Sequence, residues 1–245
     1  MRSCGKSVKK IYNNLIDFLF PAKCIFCGQK IAADSEIFCC ILCMLYFSKP
    51  TKDCCYETFG KSNNFVISPL EYKGCVRKAI YNFKFRSRPY YAKTFSHFLD
   101  YALSDIYKSE DFDIVTCVPS GKKKLKKRGY NPAWLIAKNL CVENAEFADD
   151  ILIRTNEKQA QSLKNFAGRI KNVENSFSYQ KPVDKKKILL VDDVCTTGAT
   201  LNECAKNLYL AGASKVVCAS AAKTVFNSEL SRRASSGLLI KSKTT

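Results

Sequence analysis

The chain has 245 residues, 47% of them apolar and 25% charged, the proportions of an ordinary globular protein. No stretch approaches the ~18 consecutive apolar residues of a membrane-spanning helix. The balance of 40 Lys and Arg against 22 Asp and Glu leaves a formal net charge of +18, which favours polyanions such as nucleic acid, anionic lipid or a polyphosphate metabolite. Solvated lysine-rich faces produce the same number, so charge alone decides nothing.

Residues 1–21 suggest a short amphipathic helix carrying Ile11, Leu15, Phe18 and Leu19, stopped by Pro21. Asn13, Asn14 and Asp17 interrupt what would be the apolar part of a signal peptide, so a cytoplasmic protein without a membrane span is expected. Residues 22–60 are dense in cysteine and lack a long periodic segment, and so short a module needs a staple. Residues 61–72 lead as a linker into a strand.

From about residue 70, helical and strand periods alternate. Helices are expected over 76–85, 90–107, 132–142 (with Pro132 in the first turn) and 198–213, and strands over 113–120, 149–155, 186–194 and 215–224. The run Ile188–Val191 is apolar at every position, as in a parallel strand buried on both faces. The pattern predicts an α/β domain with a mainly parallel sheet. Three divisions follow: an N-terminal helix and Cys module over 1–60, an α/β domain over 61–225, and a polar tail over 226–245.

Of the 14 cysteines, eight lie within residues 1–55. Cys24-x-x-Cys27 and Cys40-x-x-Cys43 are separated by twelve residues, a spacing that lets four thiolates surround Zn²⁺ tetrahedrally, with Gly28 in the tight turn. Cys39 is an alternative ligand, and Cys54 and Cys55 read as the remnant of a third pair. Four thiolates leave no open position, so the zinc would be structural. The scattered cysteines read as small core residues.

The stretch ILLVDDVCTTGATL, 188–201, ends a buried strand in two acids and then opens a helix through a Thr/Gly turn. Backbone N–H groups, hydroxyls and the helix dipole make such a turn an anion site, and the acids would accept hydrogen bonds from vicinal ribose hydroxyls. Neither a Walker A lysine nor a dinucleotide glycine fingerprint is present. This stretch resembles the phosphoribosyl-pyrophosphate (PRPP) signature of type I phosphoribosyltransferases. The resemblance implies that Asp192 and Asp193 contact the ribose hydroxyls and that Thr196, Thr197, Gly198 and Thr200 cradle the 5-phosphate, with Mg²⁺ carried in by the ligand. Cys195 falls at a variable position.

Between Lys122 and Arg128 six of seven residues are basic, which reads as a loop able to neutralise pyrophosphate or a nucleic-acid backbone. Ser120, Lys126, Lys127 and Arg128 are its candidate contacts. This "VP…RGYN" segment resembles the ComF family of competence-related proteins, also called the GntX group. "YKGCVRKAIYNFKF" and the 152–177 stretch, with its spaced Arg154, Gln159, Arg169 and Asn172, match in order, as does the Cys4 module preceded by Phe-Pro. The family pattern has Gln where Pro132 stands, and its third cysteine pair is reduced here to Cys54-Cys55.

The resemblance covers roughly residues 19–225 and implies a zinc ribbon joined to a phosphoribosyltransferase-like domain. Two functions stay open. One is binding of a PRPP-type ligand together with single-stranded DNA and the DNA-uptake machinery. The other is catalysis, displacing pyrophosphate from PRPP with an unnamed acceptor; no catalytic residue is identified. Segment 156–176 occupies the place of a mobile lid, with Lys158, Lys164 and Arg169 facing pyrophosphate, or is a plain surface loop. His97 reads as a partly buried helix residue and Trp134 as core.

Overall fold

The computed structural model describes residues 21–47, 55–57, 65–107, 112–155 and 176–224. The expected N-terminal helix, the 156–175 segment, Cys54 and the 226–245 tail lie outside these residues. The elements in chain order are α1 (Ile41–Phe47), β1 (Cys55–Glu57), β2 (Phe65–Ile67), β3 (Leu70–Glu71), α2 (Gly74–Phe85), α3 (Tyr91–Tyr107), β4 (Ile114–Cys117), α4 (Lys122–Arg128), α5 (Pro132–Lys138), β5 (Glu146–Phe147), β6 (Leu152–Arg154), β7 (Phe177–Tyr179), β8 (Lys187–Cys195), α6 (Ala199–Leu210) and β9 (Lys215–Lys223).

Seven strands form one sheet in the order β1-β2-β9-β8-β4-β5, with β3 also paired to β9. All pairings are parallel except β1 with β2. Strand β1 thus adds the edge of this sheet from within the cysteine-rich N-terminal part of the chain. Strands β6 and β7 make a separate antiparallel pair, and the Thr155 N–H donates to Ser176 O at its open end. This places Thr155 and Ser176 side by side.

Strand β8 lies at the centre, paired to β4 and β9, and Ile188 through Val191 are fully buried. Leu189 and Val191 join one core with Ala133, Ile136 and Ala137 of α5 and Phe95 and Phe98 of α3. Ile188 and Leu190 join a second core with Leu201, Cys204, Ala205 and Leu208 of α6. The chain therefore leaves β4 toward one face of the sheet and β8 toward the other. Adjacent strands whose connections diverge leave a crevice at their carboxyl ends, where open α/β sheets bind ligands.

Expectations about four single residues change, and of the scattered cysteines read as core, Cys75 and Cys141 are exposed while Cys117, Cys195, Cys204 and Cys218 are buried. His97 is exposed on α3, touching Phe98 ring edge to ring. Trp134 is half-buried against the rim of the core, because its indole N–H reaches Asp149 Oδ2 at 2.5 Å while Lys138 covers its ring. Among the described residues no helix is long and apolar enough to cross a membrane.

Candidate ribose-phosphate site and metal centre

The turn after β8 is shaped by one residue. Gly198 sits at φ +76°, in the left-handed region where a side chain costs about 1–2 kcal/mol, and its carbonyl accepts the Asn202 N–H of the first turn of α6. Thr197 is buried, and its Oγ1 accepts from Ala199 N at 3.3 Å; Thr196 and Thr200 stay partly open. The turn and the N-terminus of a twelve-residue helix thus face the crevice together.

The acids at the end of β8 are not equivalent. Asp193 is ion-paired with Lys84 of α2 at 2.8 Å, the two side chains being 12% and 18% exposed. Asp192 Oδ1 accepts the N–H of Asp193 at 2.8 Å. Burial first, and the neighbouring Asp193 carboxylate second, push the Asp192 carboxyl up from 3.8 to about 7, while Lys84 pulls it down. Lys84 therefore keeps two adjacent carboxylates tolerable in one small space.

The basic run is a helix, not the expected loop. The Leu125 N–H donates to Gly121 O, Gly129 closes the helix at φ +81°, and Lys126, Lys127 and Arg128 complement the negative end of the dipole. Six positive charges suggest a solvated loop, yet lysine and arginine are good helix formers and two glycines supply both ends. The helix also sorts the cations. Lys127 and Arg128 turn toward α2, and the Arg128 guanidinium lies 4.7 Å from the centre of the Phe85 ring. Lys126 lies about 100° round the helix from Lys127 and is exposed. Loss of solvation, then the cations of Arg154, Arg128 and Lys84, hold the Lys124 ammonium below its usual value, and Asp193 opposes them. Ser120 is engaged elsewhere: its hydroxyl donates to Asn131 Oδ1 at 2.9 Å, and Asn131 Nδ2 donates to Val118 O.

Lys84 therefore joins the acids, with Lys124 within electrostatic reach of Asp193 and of Arg154, and none of the three stood among the expected contacts. Lys84 had a visible signal. In α2 the core stripe is Val76, Ala79, Ile80 and Phe83, and Lys84 is the charged residue placed against that stripe.

The cysteine module is a second, separate centre. The sulfur atoms of Cys24, Cys27, Cys40 and Cys43 all lie within 4.8 Å of one another, with Cys27 and Cys40 at 3.6 Å. Tetrahedral Zn–S bonds of ~2.3 Å set sulfurs about 3.8 Å apart, so the set fits one zinc ion. Gly28 at φ +79° closes the first turn, where its N–H donates to Cys24 O, and α1 begins between the second pair. Burial works to raise the Cys24 thiol, yet backbone N–H groups of Cys27, Cys40 and Phe26 bring it down to about 6. Cys39 stands outside the set, its thiol donating to Cys40 O and pushed well up by burial. Ile25 and Phe26 bury the module against Phe95 and Phe98, so metal and α/β core share one apolar cluster.

The phosphoribosyl transferase domain family matches residues 103–234. The competence protein ComFC of Streptococcus pneumoniae is 28% identical over 220 residues, covering 87% of this chain and 94% of that one. The DNA utilization protein YhgH of Escherichia coli K12 is 25% identical over 155 residues, 62% of this chain and 68% of that one. Among solved structures, glutamine PRPP amidotransferase from B. subtilis, complexed with ADP and GMP, aligns at a TM-score of 0.34 and 20% identity, over 66% of this chain and 32% of that one.

Proposed function

Since the chain belongs to the phosphoribosyl transferase domain family and is homologous to the ComFC competence proteins and to YhgH, we propose that it binds a ribose 5-phosphate or PRPP-type ligand after β8 and handles single-stranded DNA during DNA uptake. The observation that supports the ligand is the acid pair held by Lys84 beside the Gly198 turn. Ribose 2- and 3-hydroxyls donate to Asp192 and Asp193. The 5-phosphate takes the amides and hydroxyls of Thr196, Thr197, Gly198 and Thr200 at the positive end of α6. Mg²⁺ enters with the ligand's own pyrophosphate.

Lys127 and Arg128, which line a pocket with Lys84, suit pyrophosphate or a DNA backbone, while the Ser120 hydroxyl is bonded to Asn131 and Lys126 is exposed outside that pocket. Zinc in the Cys4 set is structural, since four thiolates fill its coordination. The protein would act in the cytoplasm, where thiols stay reduced and available to the metal.

A catalytic reading has its own observation. The Lys124 ammonium feels the positive charges of Arg154, Arg128 and Lys84 and the carboxylate of Asp193, and these cations would stabilise departing pyrophosphate as the C1–O bond of PRPP breaks. Calorimetric titration with Mg²⁺–PRPP, and separately with single-stranded DNA, tests both halves of the proposal. PRPP binding lost in Asp192→Asn/Asp193→Asn is the expected result. Wild type that ignores millimolar PRPP contradicts the ligand, and wild type that ignores DNA at low salt contradicts the DNA role.

A further inference from the structure

A pocket of about 230 Å³ lies between the last turn of α2 and the last turn of α4, lined by Tyr81, Lys84, Phe85, Ser87, Lys127 and Arg128. Its chemistry is one-sided. Two ring faces form the apolar part, three cations the polar part, and no carboxylate lines it. Tyr81 and Phe85 are about half exposed, stand one helical turn apart, and hold their ring centres 5.1 Å apart at 42°. The Arg128 guanidinium carbon already lies 4.7 Å from the Phe85 ring centre, which leaves the half-exposed Tyr81 ring as the open stacking surface. The C-terminal ends of α2 and α4 bring about half a negative charge each, which Lys127 and Arg128 outweigh even with Lys84 committed to Asp193.

A ligand for this pocket must be flat, aromatic and anionic. The volume is below the ~300–1,000 Å³ of an enclosed small-molecule site, so it suits one unit of a longer chain better than a whole cofactor. Beyond Ser87 the exposed Arg88 donates to Tyr90 Oη, and the exposed Tyr90 ring packs on Phe38 beside the Cys4 module. Alternating rings and cations along a surface are how single strands are held without sequence preference.

We propose that this pocket seats one nucleotide of a single DNA strand, its base stacked on Tyr81 and its phosphates held by Lys127 and Arg128, with the strand running on past Arg88 toward the cysteine module. The proposal rests on the DNA reading of the preceding section and names where that contact is made. Through Lys84 the seated nucleotide would adjoin the acid pair of the ribose-phosphate site.

The test is fluorescence anisotropy with a labelled oligothymidylate of about 20 nucleotides, and an abasic strand of equal length, at about 50 mM salt. Tyr81→Ala is expected to weaken oligothymidylate binding about tenfold or more, with Tyr81→Phe restoring it and Mg²⁺–PRPP affinity unchanged. Lys127→Ala/Arg128→Ala should flatten the dependence of log K on log salt by about 1.4, the share of two single-strand phosphates. Wild type binding the abasic strand as tightly as the thymidylate overturns the base seat. Tyr81→Ala binding like wild type overturns the pocket while leaving the DNA role standing. Wild type that binds neither strand overturns the pocket and the DNA role together.

Discussion

Replacing Lys84 with methionine keeps the length and apolar stem of the side chain and removes its charge from beside Asp193. At 2.8 Å and an effective dielectric near 20, the lost attraction is about 6 kcal/mol before the cost of desolvating both groups. Because both side chains are mostly buried, Asp193 would be left without its partner, and breaking such a pair typically costs about 3–5 kcal/mol. Partial solvent access at 12% and 18% lowers the expected destabilisation to about 2–4 kcal/mol.

The loss must depend on pH. Lys84 lowers the Asp192 carboxyl, so its removal pushes that group above its present value of about 7. Protonation of Asp192 then relieves the repulsion, and Lys84→Met should be nearly full in effect at pH 8.5 and clearly smaller at pH 5.5. Urea unfolding at both pH values measures this, and Lys84→Met/Asp193→Asn should recover most of the loss. An equal loss at the two pH values, or a loss below about 0.5 kcal/mol, would refute the argument that Lys84 stabilises the acid pair.

Three further outcomes are expected. With Asp192 raised from 3.8 to about 7, the native state holds this proton more tightly than the unfolded chain, so its contribution makes stability fall as pH rises from about 4 to about 7 and level off above; Asp192→Asn should remove that slope in urea titrations. The same group accepts ribose hydroxyls best when ionised, so PRPP affinity measured by calorimetry should rise from pH 6 to pH 8 more steeply in wild type than in Asp192→Asn. Cys24→Ser should lower bound zinc from one equivalent to none by elemental analysis, and lower the melting temperature because the module shares its core with α3.

What was legible in the sequence follows from how local each cause is. Strand β8 shows as four consecutive apolar residues because both of its faces are covered, and α6 shows through its spacing and the glycine that starts it. The Cys4 set was legible because its ligands come as two short pairs at fixed spacing. Helix α4 was not, because six like charges mask a segment whose ends are set by Gly121 and Gly129. His97 and Trp134 depended on which side of a helix met the core, and Trp134 was drawn outward by Asp149 on a later segment. Lys84 is 109 residues from Asp193 in sequence, and only the packing of α2 beside the carboxyl end of β8 joins them. Long-range pairs of this kind have no local signal beyond a charge set against an apolar stripe.

The end of β8 and the turn after it are proposed to form a sugar-phosphate clamp. A crystal structure of the full chain with Mg²⁺ and PRPP tests it most directly. Ribose hydroxyls are expected within hydrogen-bond distance of Asp192 and Asp193, and the 5-phosphate on the amides from Thr196 to Thr200. A 5-phosphate seated elsewhere, with the acid pair still closed on Lys84 and untouched by ribose, would contradict it.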